Sequence, residues 1–218
     1  MTIAFYEHPL SSYVQKAKTA LYEKGIAFDS KMIDGSEPVA TEWATLWPLR
    51  RFPVIVADGE FVFEATGIIE YLEARFPEKA RLIPADPRLA AEVRMWDRFF
   101  DNYVSYPQGR VVLMAIGREP DDGKGGAAWK SMLETSYALL DDRMKDRTWA
   151  AGESFSLADC AAAPALLYAD WTHPIPARFA AVHAYRRRLL ARPSYARALD
   201  EARPYRHMFP LGAPADRD

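Results

Sequence analysis

Phe52-Pro53-Val54-Ile55-Val56-Ala57-Asp58-Gly59-Glu60-Phe61-Val62-Phe63-Glu64-Ala65-Thr66-Gly67-Ile68-Ile69-Glu70-Tyr71-Leu72 decides the fold class. Two apolar runs, Val54–Ala57 and Phe61–Phe63, flank Asp58-Gly59-Glu60, and this reads as two strands joined by a tight hairpin turn. Ile68, Ile69, Tyr71 and Leu72 then return to one face at helical spacing. Pro53 stands where a strand normally wants an N–H donor, so the peptide before it is read either as cis or as a plain strand start. A cis Phe52–Pro53 bond would turn the Phe52 N–H and C=O outward, free to pair with the backbone of a ligand.

Upstream, Ile3–Tyr6 is a short apolar strand and His8-Pro9-Leu10-Ser11-Ser12 breaks it. Val14, Ala17, Ala20 and Leu21 follow at helical spacing up to Gly25, a natural residue just past a helix end. Ala27–Ile33 reads as a second strand. The order is β-α-β, a helical or irregular stretch, then β-β-α. Pro77, Pro84 and Pro87 punctuate a linker, after which strand patterns cease. Helical periodicities run over about 88–116, 127–146, 156–170 and 178–191, with a loop at Glu119–Gly126. The expected domains are residues 1–78 and 89–218, joined by a linker at 79–88.

The chain has 218 residues, of which 50% are hydrophobic and 27% charged, so it buries a substantial core and is not a disordered polymer. No apolar run approaches the ~18 residues of a spanning helix. The first residues lack the basic and long apolar regions of a secretory signal. A net charge of −2 argues against nucleic acid as a main partner. Acidic residues outnumber basic ones 12 to 7 in residues 1–78, and basic outnumber acidic 21 to 18 in the remainder, consistent with two units. The single cysteine, Cys160, allows no intrachain disulfide and fits a reducing, cytoplasmic compartment. The histidines at 8, 173, 183 and 207 have no metal-ligand spacing, so no metal site is expected.

Three segments could carry chemistry. Ser11 and Ser12 lie at a strand-to-helix junction, where free N–H groups favour an anion, although a serine there can simply cap the helix. Phe52-Pro53 offers backbone groups. Glu64 ends a strand and Thr66 opens a helix, which sets a carboxylate beside a second helix N-terminus. That pairing suits a zwitterion such as an α-amino acid, or is only a capped helix with a surface glutamate.

In order and spacing these segments resemble the glutathione S-transferase family, and the likeness extends through the helical half. The resemblance implies an α/β thioredoxin-like N-terminal domain followed by an all-α helical-bundle C-terminal domain. Glu153-Ser154-Phe155-Ser156-Leu157-Ala158-Asp159 is similar to the family's buried capping box, a structural element. His8-Pro9-Leu10-Ser11 resembles the serine-type members, which places the catalytic hydroxyl at Ser11, with Ser12 helping to cap the helix. Tyr6 stays open as the alternative, because tyrosine-type members use a phenol near the end of the first strand.

By the same resemblance Phe52-Pro53 matches the pair that holds the cysteinyl backbone of glutathione, and Arg51 stands where some members meet its glycine carboxylate. Glu64, Ala65 and Thr66 fall on the γ-glutamyl site. The family's Glu-Ser pair is here Glu64-Ala65, so the serine hydroxyl is missing unless Thr66 supplies one. The usual Asn-Pro-x-Gly or Asn-Pro-Leu-Lys is here Trp47-Pro48-Leu49-Arg50. Leu10, Tyr103, Tyr106 and Arg110 are the expected lining of the second-substrate site, with Trp171 a weaker candidate. Trp96, Phe99 and Phe100 belong to the same stripe and are expected mostly in the core.

The implied function is a glutathione transferase of the detoxifying kind, with glutathione as cosubstrate, a small hydrophobic electrophile as partner and a homodimer as assembly. Glutathione-dependent isomerase, dehalogenase or peroxidase chemistry fits the same residues. A non-catalytic binding or regulatory module is the alternative from a different class.

Overall fold

The computed structural model describes residues 2–120 and 125–217, so the loop expected at Glu119–Gly126 lies partly outside the described residues. The N-terminal half runs β1 (Ile3–Glu7), α1 (Ser12–Glu23), β2 (Asp29–Met32), α2 (Val39–Leu46), β3 (Val54–Ala57), β4 (Glu60–Phe63) and α3 (Ala65–Arg75). The strands form one sheet in the order β2-β1-β3-β4. β1 pairs parallel to β2 and antiparallel to β3, with Tyr6 opposite Val54, and β4 closes the hairpin. Asp58 and Gly59 both have positive φ, the backbone that a two-residue hairpin turn demands. Alternation along β1 splits the core. Ile3 and Phe5 join Val14, Leu21, Ile55, Ile68 and Leu72 beneath α1 and α3, whereas Tyr6 packs with Ile33 and Val54 on the other face, beneath α2.

The C-terminal half is helical: α4 (Pro87–Phe99), α5 (Tyr106–Ala115), α6 (Gly125–Met144), α7 (Leu157–Thr172), α8 (Ala180–Leu190) and α9 (Pro193–Ala202). Every residue of α7 from Leu157 to Trp171 is buried, which makes it the central strut. The capping box at its start is present. Asp159 accepts from the Ser156 N–H (2.9 Å) and hydroxyl (3.1 Å), the Ala150 N–H (3.0 Å) and the Tyr185 hydroxyl (2.5 Å). Burial pushes its carboxyl up to about 6, and those hydrogen bonds oppose the rise.

Two details depart from the sequence reading. Residues 88–116 are not one helix, because a π-helical segment, Phe100–Ser105, separates α4 from α5. Pro107 brings no N–H to this stretch, and the Tyr103 carbonyl instead accepts from the Ser136 hydroxyl at 2.9 Å. The second departure is α9, which the periodicity did not reveal although Pro193 at its first turn is a start signal.

α1 is the hinge pin between the halves. Gln15, buried, donates to the Pro9 carbonyl (3.0 Å) and the Tyr168 hydroxyl (2.7 Å) and accepts from the Tyr195 hydroxyl (3.0 Å). Glu23 holds Arg192 through two bonds of 2.7 Å. Lys16 reaches across to Asp97 of α4 (2.6 Å) and to Asp101 (2.7 Å). No helix among the described residues is long and apolar enough to cross a membrane.

Candidate active site

Two helix N-termini and the Phe52–Pro53 turn border one cleft of about 570 Å³ between the halves. Ser11 is the N-cap of α1, in extended backbone, and its Oγ accepts from the Val14 N–H at 3.3 Å. That bond uses a lone pair of the oxygen and leaves the hydroxyl proton to donate. Ser12 is the first helical residue and is buried, so the capping role expected of it belongs to Ser11.

Tyr6, the alternative hydroxyl, does not reach the cleft. It is buried on the far face of the sheet, and burial together with a hydrogen bond to Glu42 of α2 raises its phenol far above the ordinary range. His8 stacks on Phe52 at 5.9 Å, and its Nδ1 accepts from the Leu10 N–H. Burial lowers its pKa, against the pull of Asp34 and Glu7, which keeps the ring neutral at pH 7.

The Phe52–Pro53 peptide is cis. The preceding turn is pinned by the Arg50 N–H on the Trp47 carbonyl (2.8 Å) and by the Trp43 indole on the Arg51 carbonyl (3.2 Å). Arg50 sits at φ 49, the left-handed conformation that a glycine adopts most cheaply. Trp47 stacks on Phe63 at 4.6 Å and forms the apolar wall beside the arginines. Glu64 occupies φ 65, a rare backbone for a side-chain-bearing residue and one that concentrates at ligand sites. It makes no side-chain cap on α3, so the first N–H groups of that helix, starting at Ala65, are open to an anion.

Ser11, Arg51, Phe52, Pro53, Glu64, Ala65, Tyr106 and Arg110 all line the cleft. Thr66 does not. Its hydroxyl donates to Asp97 (2.9 Å), accepts from Lys16 (2.9 Å) and also meets Arg98, so it cannot replace the missing serine hydroxyl. Leu10 packs against the helical core instead, and Trp171 is buried there. Tyr103 is 51% exposed and packs on Phe99, away from the cleft, because the π-helical segment shifts the register between it and Tyr106.

Tyr13, Gln108, Leu113, Arg118 and Glu119 also line the cleft, and sequence reasoning missed them. Only Tyr13 had a signal, as the neighbour of the serines. Burial, reinforced by Asp101 and Glu64, raises its phenol well above the ordinary range and keeps it protonated. Cys160 is wholly buried and its thiol is pushed up by desolvation, so it is no nucleophile. Among the described residues no cluster of His, Cys, Asp or Glu could hold a metal.

Residues 5–80 match the model of the glutathione S-transferase N-terminal domain, and residues 130–193 match that of the C-terminal domain. The chain belongs to the glutathione S-transferase family. It is 30% identical over 153 residues to glutathione S-transferase U25 of Arabidopsis thaliana, a stretch that spans 69% of this chain and 65%, slightly under two thirds, of that protein. It is 26% identical over 207 residues to the stringent starvation protein A homolog of Coxiella burnetii, which covers 92% of each chain. A Methylobacillus flagellatus glutathione S-transferase crystallised with glutathione bound is 26% identical, with a TM-score of 0.76 over 90% of this chain and 98% of that one. The thioredoxin-like domain and the helical bundle of this glutathione S-transferase fold thus follow the family's arrangement.

Proposed function

We propose that this protein is a glutathione transferase that binds glutathione along the cis-proline turn and the α3 N-terminus and activates its sulfur at Ser11. The observation that carries the reading is the convergence of three features on one cleft: the α1 N-terminus with its serine, cis Phe52–Pro53 and Glu64–Ala65. Residues 1–78 hold glutathione, residues 89–218 supply the side for the electrophile, and 79–88 link them. The Ser11 hydroxyl donates to sulfur and the helix dipole behind it favours the thiolate. A free thiol near pKa 8.5 is mostly protonated at pH 7, and each unit of lowering needs about 1.36 kcal/mol. Arg51 meets the glycine carboxylate, the Phe52 backbone the cysteinyl backbone, and Glu64 the γ-glutamyl amine. The thiolate attacks an electrophilic carbon and the leaving group departs with its electron pair.

Calorimetric titration with glutathione, followed by turnover of a reactive aryl halide, tests the reading. Binding without turnover of any electrophile would favour a non-catalytic module, a reading that Ala65 and the diverted Thr66 hydroxyl support. Turnover of an isomerisable, halogenated or peroxide substrate alone would reassign the reaction within the same site. The working form is proposed as a cytoplasmic homodimer, which size exclusion with light scattering checks.

Ala65→Ser adds one oxygen at the first residue of α3 and restores a donor for the γ-glutamyl carboxylate. A hydrogen bond to a charged group contributes about 1.5 kcal/mol or more, so glutathione is expected to bind about tenfold tighter. Glu64→Gln removes the charge opposite the amine and is expected to weaken binding. Indifference of both variants in the titration would remove the γ-glutamyl site from the proposal.

A further inference from the structure

The cleft is positively charged in a chain that carries a net charge of −2. Its lining holds Arg50, Arg51, Arg110 and Arg118 against only Glu64 and Glu119. The glutathione reading uses Arg51, next to Arg50 in the chain, for one carboxylate and Glu64 for the amine. This leaves a second basic pair in the lining, Arg110 on α5 and Arg118 in the chain after it.

Arg110 is held in place by an aromatic bracket. Its guanidinium lies 5.6 Å from the ring of Tyr106 and 5.7 Å from that of Trp129, and the two rings meet edge to face. Glu119 pairs with it, Nη1 to Oε1 at 2.6 Å, while the Arg110 side chain stays 32% exposed, and the buried Arg110 Nε and Glu119 Oε2 lack hydrogen-bond partners. A guanidinium with an unpartnered nitrogen has a donor to spare. Arg118 is exposed at the rim and forms no ion pair with a described acid. Beside them Tyr106 and Leu113 offer an apolar surface.

We propose that the second substrate is an aromatic electrophile bearing a carboxylate, its ring against Tyr106 and Leu113 and its anion between Arg110 and Arg118. This rests on the glutathione reading and narrows it from a neutral hydrophobic substrate to an anionic one. The charge surplus supplies the attraction, and the bracketed guanidinium supplies a donor fixed before the ligand arrives.

The test compares two stable conjugates by calorimetry, S-(4-carboxybenzyl)glutathione and S-benzylglutathione, at one salt and pH. The readout is the ratio of their affinities in each protein, so effects common to both ligands cancel. The wild type is expected to favour the carboxylate about tenfold, the scale of one hydrogen bond to a charged group. Arg118→Gln and Arg110→Gln are each expected to bring the ratio towards unity, and Arg118, being exposed, can be replaced without disturbing folding. Equal affinities in the wild type, or a ratio unchanged in both variants, would overturn the proposal while leaving glutathione binding intact. Failure of glutathione and both conjugates to bind would overturn the glutathione reading and this inference with it.

Discussion

Lys16→Met is expected to lower the unfolding free energy by about 3–5 kcal/mol, the cost of breaking a buried ion pair from one side. The Lys16 side chain is 1% exposed, and its ammonium is shared by Asp97 at 2.6 Å and Asp101 at 2.7 Å. Arg98 touches the same two carboxylates at 2.7 and 2.5 Å, but its side chain is half exposed and cannot replace a fully buried cation. Against a usual stability of about 5–15 kcal/mol, such a loss brings the domain junction close to failure. Burial and the neighbouring Asp97 already raise the Asp101 pKa, and Lys16 is the largest influence holding it down. Removing Lys16 raises it further.

The sign of the pH effect follows. A carboxyl whose folded pKa lies above its unfolded one destabilises most above the folded value, and the penalty disappears below the unfolded one. The deficit of Lys16→Met relative to the wild type is therefore expected to shrink as pH falls from 7 towards 4. Adding Asp97→Asn and Asp101→Asn removes the orphaned charges and should recover part of the loss. Urea unfolding of the three proteins across that range checks this. A deficit below about 1 kcal/mol, or one that grows on acidification, would mean that the network contributes little.

Ser11→Ala is expected to cut turnover about a hundredfold, the scale of losing one preorganised donor at a developing charge. The same hydroxyl oxygen caps α1, and an alanine there costs about 1 kcal/mol of stability whereas a glycine costs only a few tenths. Ser11→Gly therefore separates the two roles. Both variants should lose the same turnover and raise the apparent pKa of bound glutathione, while only the alanine loses the stability. Tyr6→Phe should leave turnover near the wild type, because Tyr6 lies behind the sheet. Stopped-flow thiolate absorbance and chemical unfolding read the two effects independently. Turnover that tracks stability across the pair would reduce Ser11 to a cap, and loss of activity in Tyr6→Phe alone would move the sulfur donor.

Much of this molecule could be read from its local patterns. The Asp58-Gly59 turn, the helix ending at Gly25 and the capping box at Ser156–Asp159 each depend on contacts between residues a few positions apart. Local stereochemistry decides such features whatever surrounds them. The choice between Ser11 and Tyr6 was different. Both stand near the end of β1, and only the packing of α2 over one sheet face sends the phenol away from the cleft.

Thr66 carried a hydroxyl at a plausible spacing, yet Lys16, Asp97 and Arg98 arrive from other helices to claim it. Tyr103 and Tyr106 looked equivalent at a period of 3.6, and one π-helical segment parted them. Arg118 and Glu119 showed no pattern at all until the fold brought the chain following α5 into the same cleft as the cis-proline turn. By itself the sequence determined the β-α-β and β-β-α order of the first half, the helical character of the second, several local caps and turns, and the identity of the chemical groups. The tertiary structure decided which of those groups share a cavity, because facing and pairing depend on helix register and on partners thirty or more residues away, and no local periodicity encodes them.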